Sequence, residues 1–191
     1  MNYKEVLGLS AVIIGIISYF PYIRDIFANK TKPHSFSWLI WSILTGIGFT
    51  GQITDNAGAG SWVTGMTSIA CFIIFIIALK KGEKNILILD WLCLIGAGVA
   101  ILFWFILKGP LLSVLLVTLI TSLGFIPTFR KSFMKPQEET VITFALNGFK
   151  FVPAIIALEN FSLVTAIYPA SQVITNWLLV LMLIIRRKVT I

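Results

Sequence analysis

Residues 19–27 read Tyr19-Phe20-Pro21-Tyr22-Ile23-Arg24-Asp25-Ile26-Phe27, and 106 residues later residues 125–133 read Phe125-Ile126-Pro127-Thr128-Phe129-Arg130-Lys131-Ser132-Phe133. The shared pattern is Pro-x-x-Arg-x-x-Phe. In each copy it closes an apolar run and opens a basic segment. The same offset sets Ser37 on Thr143, Trp38 on Phe144, and the pair Lys80-Lys81 on Arg186-Arg187. A fixed internal offset of this kind says that the chain is built twice. The segment between the second and third runs differs in length between the copies, so the register beyond it is open.

Working outward from the repeat, the flanking runs define the solvent. Of 191 residues, 58% are hydrophobic and 12% charged, where a soluble domain carries about a quarter charged. Such a chain has too little polar surface to cover a core in water. Crossing a bilayer takes ~20 mostly apolar residues in a helix. Seven such runs are present: Tyr3–Pro21, Ser35–Gly51, Gly60–Leu79, Ile86–Leu107, Pro110–Pro127, Thr140–Leu158 and Leu163–Ile185. They are too long and too evenly apolar for barrel strands, which alternate. The expected fold is therefore an all-α integral membrane protein with seven transmembrane helices. Residues 1–82 form a first three-helix bundle, 83–108 a linker helix, and 109–191 a second three-helix bundle. Three helices invert the chain in the membrane and a fourth restores it, so the two bundles run parallel. The first run lacks the basic start and small-residue site of a cleaved leader and is needed by the repeat.

The net charge of +7 is a topology signal. Arg24, Lys30 and Lys32 follow the first run; Lys80, Lys81 and Lys84 the third; Arg130, Lys131 and Lys135 the fifth; Arg186, Arg187 and Lys188 the last. The segments after the second and sixth runs contain no Lys or Arg. By the positive-inside rule, the N-terminus lies outside and the C-terminus in the cytoplasm of a cell (inner) membrane, and no nucleic-acid partner is implied. Cys71 and Cys93 lie inside apolar runs and read as packing residues.

Residues 19–27, followed by Asn29-Lys-Thr-Lys-Pro-His-Ser-Phe-Ser-Trp38, resemble a PQ-loop motif: a helix-ending Pro-Gln, a basic loop, and a Ser-x-Ser-like entry to the next helix. In its three-one-three layout the whole chain resembles a divergent, bacterial-type member of the SWEET and PQ-loop transporter superfamily. The resemblance implies a transporter fold with proline hinges. It does not imply sugar specificity. The motif glutamine is Tyr22 in one copy and Thr128 in the other. The sugar-contacting asparagines would fall near Thr64 and Ala170, and the proline pattern (Pro21, Pro127, Pro153) lacks its member in the second run.

Lys150 stands out among the candidate residues. Ten residues at ~1.5 Å each place it about 15 Å into the sixth run, where a charge costs at least ~2.5–3.5 kcal/mol. It either binds an anionic group of a substrate or pairs with Asp90 or Glu159. Asn147 lies one turn earlier on the same face; its partner in the first copy is Trp41, and that of Lys150 is Leu44. Trp38 and Trp41 give the second run an aromatic face. Gln172 and Asn176, four apart on the last run, are either substrate donors or glue between helices; their partners at the same offset are Met66 and Ala70. Pro21 and Pro127 act as hinges or as helix ends, with Tyr19 and Phe125 as gate aromatics. Asp90 and His34 read as structural. No catalytic constellation, metal-ligand cluster or cofactor motif is present, and no enzyme is expected. The expected function is a small-solute transporter with alternating access, its substrate-binding residues Trp41, Asn147, Lys150, Gln172 and Asn176. Its partners are a small-molecule solute and the lipid bilayer, with a homo-oligomer left open. The alternative is a membrane receptor or interaction protein on the same fold.

Overall fold

A computed structural model describes residues 2–84 and 110–189, with 86–88, 91, 92, 94, 95, 98, 99, 102 and 106 between them. The described residues form six α-helices and no strand: α1 (Tyr3–Phe27), α2 (Ser35–Thr54), α3 (Trp62–Lys81), α4 (Pro110–Met134), α5 (Val141–Ile156) and α6 (Leu163–Val189). Short 3-10 turns occupy Gly58–Ser61 and Pro136–Glu138. All of these helices but α5 contain stretches long and apolar enough to cross a membrane; α5 has only 16 residues. Half of the expected linker helix over 83–108 lies outside the described residues, including Asp90, Cys93 and Lys108.

Burial is inverted relative to a protein in water. Phe20, Ile16, Phe72 and Leu181 are exposed on the outside, while Ser18, Thr45, Gln52, Asn147, Lys150, Gln172 and Asn176 are buried within. Hydrocarbon tolerates apolar side chains and penalises unpaired polar groups, so polarity gathers inside, as in a multi-pass membrane protein.

Several boundaries differ from the sequence reading. The runs ending at Pro21 and Pro127 continue as helix to Phe27 and Met134, with both prolines inside. Each proline removes one helical hydrogen bond, but Tyr22 and Ile26 beyond Pro21 are fully buried and hold the last turns against the core. Arg24, Arg130 and Lys131 therefore sit on helices, not in loops. The sixth run is also shorter than Thr140–Leu158: Thr140 is the N-cap position of α5, and Ala157 closes the helix by donating to the Pro153 carbonyl at 2.9 Å.

Among the described residues, α3 packs against both α1 and α2, and α6 against both α4 and α5; α1 also meets α5, and α2 meets α4. Exchanging α1, α2, α3 for α4, α5, α6 maps this set of neighbours onto itself. The result is a closed ring around a central space. All the basic helix ends lie at one end of the ring, here called the basic end. At the opposite end Lys4 Nζ donates to the Leu158 carbonyl at 2.8 Å.

Small residues bring the ring together. A Cβ on Gly8 of α1 would lie 2.8 Å from Ala59 Cβ and closer still to the Ala59 carbonyl oxygen. A backbone neighbour cannot yield as a flexible side chain does. Gly8→Ala is expected to cost about 1–3 kcal/mol, read as a lowered thermal midpoint in detergent, while Leu9→Ala on the exposed face of the same helix leaves the midpoint nearly unchanged.

Candidate functional site

Among the described residues the central space holds a small cavity of about 30 Å³, room for one or two waters. Its walls come from both halves of the chain. Tyr19 of α1 and Phe125 of α4 line it, as do Trp38 and Phe144, Trp41 and Asn147, and Thr45 and Phe151. Each of these pairs is separated by 106 residues. Lys150, Gln172 and Asn176 complete the second half's share, and Thr67 and Cys71 the first's.

These last residues correct the register read from sequence. Met66 and Ala70 line a groove on the outer side of α3, with Ile16, Phe20 and Ile69. The α3 residues in the cavity are Thr67 and Cys71, 105 residues before Gln172 and Asn176. The connection from α5 to α6 is one residue shorter than its counterpart in the first half. One residue turns a helix by about 100°, enough to swing Met66 and Ala70 outward.

Lys150 is fully buried. Its Nζ donates to Asn147 Oδ1 at 2.7 Å and to Tyr19 Oη at 3.0 Å. It lies 4.7 Å from the Tyr19 ring centroid and 5.2 Å from that of Phe151, close enough for cation–π attraction. An ammonium has three donors, and two have acceptors here. No carboxylate among the described residues lies within ion-pair distance of it. Glu159, one partner considered above, is exposed at the opposite end against Gly58. Gly15 makes room for the lysine stem: a Cβ there would stand 3.3 Å from Lys150 Cδ.

The other polar groups are partly committed. Ser18 Oγ lies 3.2 Å from Asn147 Oδ1, and Asn176 Nδ2 donates to the Gln172 carbonyl at 2.8 Å. Gln172 Nε2 is buried without a hydrogen-bond partner. The indoles are fixed at their edges. Trp41 Nε1 donates to the Thr121 carbonyl at 3.2 Å, and Trp38 Nε1 to Tyr22 Oη at 3.3 Å. Trp41 packs on Phe125 with ring centroids 4.5 Å apart and on Trp38 at 5.0 Å.

Pro21 and Pro127 do not line the cavity; they sit two residues beyond Tyr19 and Phe125. Thr64 and Ala170, the positions implied by the sugar-transporter resemblance, do not line it either. Sequence reasoning passed over Ser18, Tyr22, Thr45, Phe144 and Phe151. The 106-residue offset from Trp38 points to Phe144, and a turn back from Tyr22 points to Ser18.

Hydrogen bonds bridge the two halves at both ends of the cavity. At the basic end Lys131, on α4, donates to the carbonyls of Lys32 and Glu138 and to Glu139 Oε1, each at 2.6 Å. Lys131 and Glu139 are nearly or wholly buried. Burial pushes the Glu139 carboxyl above its ordinary range, while Lys131, Tyr22 and the Thr140 backbone favour its charged form. Thr140 Oγ1 donates to Asp25 Oδ2 at 3.0 Å and meets Thr31 Oγ1 at 2.6 Å. These contacts join the α1–α2 loop to the α4–α5 loop. At the opposite end the ties are lighter: Ser162 Oγ to Asp55 Oδ2 at 2.9 Å, Gln52 Nε2 to the Thr165 carbonyl at 3.2 Å, and the Glu159 backbone N–H to the Ala57 carbonyl at 3.2 Å.

Among the described residues this defines an all-helical protein with five helices long and apolar enough to cross a membrane, around a polar and aromatic cavity. Compared with family models, curated proteins and solved structures, the chain matches none of them.

Proposed function

We propose that the protein is a small-polar-solute membrane transporter of the SWEET and PQ-loop type. In this reading seven helices form two parallel three-helix units joined by the linker helix over 83–108, with the basic end in the cytoplasm. The solute carries an anionic group and occupies the cavity at Lys150, whose roughly 30 Å³ must widen to admit it. Access alternates as the two ends open in turn.

The observation that carries the reading is a buried lysine with no carboxylate beside it among the described residues, in a cavity bridged at both ends by bonds between the halves. A purely structural lysine at this depth would be expected to have an acidic partner, because an unpaired buried charge is expensive. A site that meets an anion in each cycle supplies that partner from solution. The neighbour relations of the ring, which survive exchange of its halves, support alternation: rocking one half against the other moves both ends at once. Tyr19 and Phe125 stand between the cavity and the prolines two residues on, where a missing helical bond makes bending easiest.

Purified protein in sealed liposomes should carry at least one small organic anion down its gradient faster than protein-free liposomes do. If a panel of organic anions, sugars and amino acids shows no flux above that background, the transport reading is wrong. Binding without flux would then favour the receptor.

A further inference from the structure

We infer that the solute is a flat monoanion, an aromatic or conjugated carboxylate without an ammonium group; this rests on the reading of the cavity as a solute site. Charge sets the first limit. Lys150 is the cavity's one cationic side chain, and no carboxylate lines the cavity among the described residues. One negative charge neutralises the site. A dianion would leave a charge uncompensated where solvent cannot screen it, and a neutral sugar would leave the ammonium without a counter-ion. A zwitterionic amino acid would bring a second ammonium beside Lys150 with no acid to receive it.

Shape and hydrogen bonding set the second. Lys150 has a donor to spare, and Gln172 Nε2 is a buried donor with no partner. A carboxylate has two oxygens and accepts from both. The remaining wall is rings. Trp38 and Trp41 are held by their N–H edges, which leaves ring faces as the contact surface, and Trp41 and Phe125 now fill the space against each other at 4.5 Å. These two rings meet tilted by 49° and must part to admit any solute; a planar group needs the narrower opening and gains a ring face on each side, while a bulky saturated ring would have to force them further apart.

Benzoate, benzamide, cyclohexanecarboxylate and phenylalanine separate these demands. With the detergent-purified full chain, titration calorimetry should give benzoate a dissociation constant at least about tenfold below that of benzamide, the worth of one charge-assisted bond. Cyclohexanecarboxylate and phenylalanine should be weaker than benzoate. In Lys150→Met the preference over benzamide should vanish, and Gln172→Leu should weaken benzoate severalfold. Circular dichroism and an unchanged thermal midpoint would show that both variants fold. Benzamide binding as well as benzoate, or tighter binding of phenylalanine or glucose, overturns the assignment and leaves the transport reading intact. Benzoate binding with no flux of any solute in liposomes upholds the assignment and defeats the transport reading.

Discussion

Lys150→Met is expected to cut solute flux by at least about tenfold while leaving the fold as stable as before, or more so. Methionine keeps most of the stem that packs against Gly15 and removes the ammonium. The acceptors left behind need not be stranded: Ser18 Oγ, which donates to the Gly15 carbonyl at 2.6 Å, lies 3.2 Å from Asn147 Oδ1 and can turn its proton to it, and the Tyr19 hydroxyl can donate elsewhere. Replacing a buried charge by an apolar group of similar shape is commonly neutral or stabilising. Loss of one charge-assisted bond to an anion costs about 1.5–3 kcal/mol, which gives the factor of ten or more. A structural lysine predicts the reverse pattern, in which the thermal midpoint falls and flux falls only with the amount of folded protein. Flux per folded molecule, measured beside the midpoint in one preparation, tells the two apart.

The second large effect lies at the basic end. Glu139→Gln should cost about 3–5 kcal/mol, because it leaves Lys131 buried without its counter-charge. Lys131→Met should be milder: without the lysine, the Glu139 carboxyl, already pushed up by burial, takes a proton and becomes neutral. The double variant Lys131→Met/Glu139→Leu should recover most of the stability lost in Glu139→Gln, since no buried charge is left unpaired. It should still lack the bonds from Lys131 to the Lys32 and Glu138 carbonyls that tie the two loops together. Reagents added at the basic end should then reach the cavity faster than in the unmodified protein. A double variant as stable as the parent but equally closed would show that the pair does not seal this end. Trp38, in the cavity wall, donates to Tyr22, and Tyr22 lies beside Glu139. That chain gives an occupant of the cavity a physical route to the seal.

Much of this site is legible in the chain because helices repeat. The 2.7 Å contact between Asn147 and Lys150 follows from a spacing of three residues on one helix, and Gln172 and Asn176 share a face for the same kind of reason. The offset between Pro21 and Pro127 carries Tyr19 to Phe125 and Trp41 to Asn147, all four in the cavity wall. What failed needed information that spacing does not hold. The register of α3 slipped by one residue because a loop length sets it. Pro21 and Pro127 looked like helix ends because propensity alone ignores Tyr22 and Ile26 packed beyond the first of them. The pairing of Tyr19 with Lys150 spans 131 residues and depends on α1 lying beside α5. Lys131 reads in sequence only as a topology charge; its buried bond to Glu139 crosses the turn at Pro136–Glu138, where sequence gives no sign of depth.

A cavity that opens to each side in turn can be followed at Cys71, which lies in its wall, buried at 2% exposure. In a Cys93→Ser background in sealed vesicles, a membrane-impermeant thiol reagent is applied first from one side and then, in a separate sample, from the other. Transport by alternating access predicts that Cys71 is modified from both sides, and more slowly from each when a transported solute fills the cavity. Modification from one side only under every condition, or from neither, would contradict it.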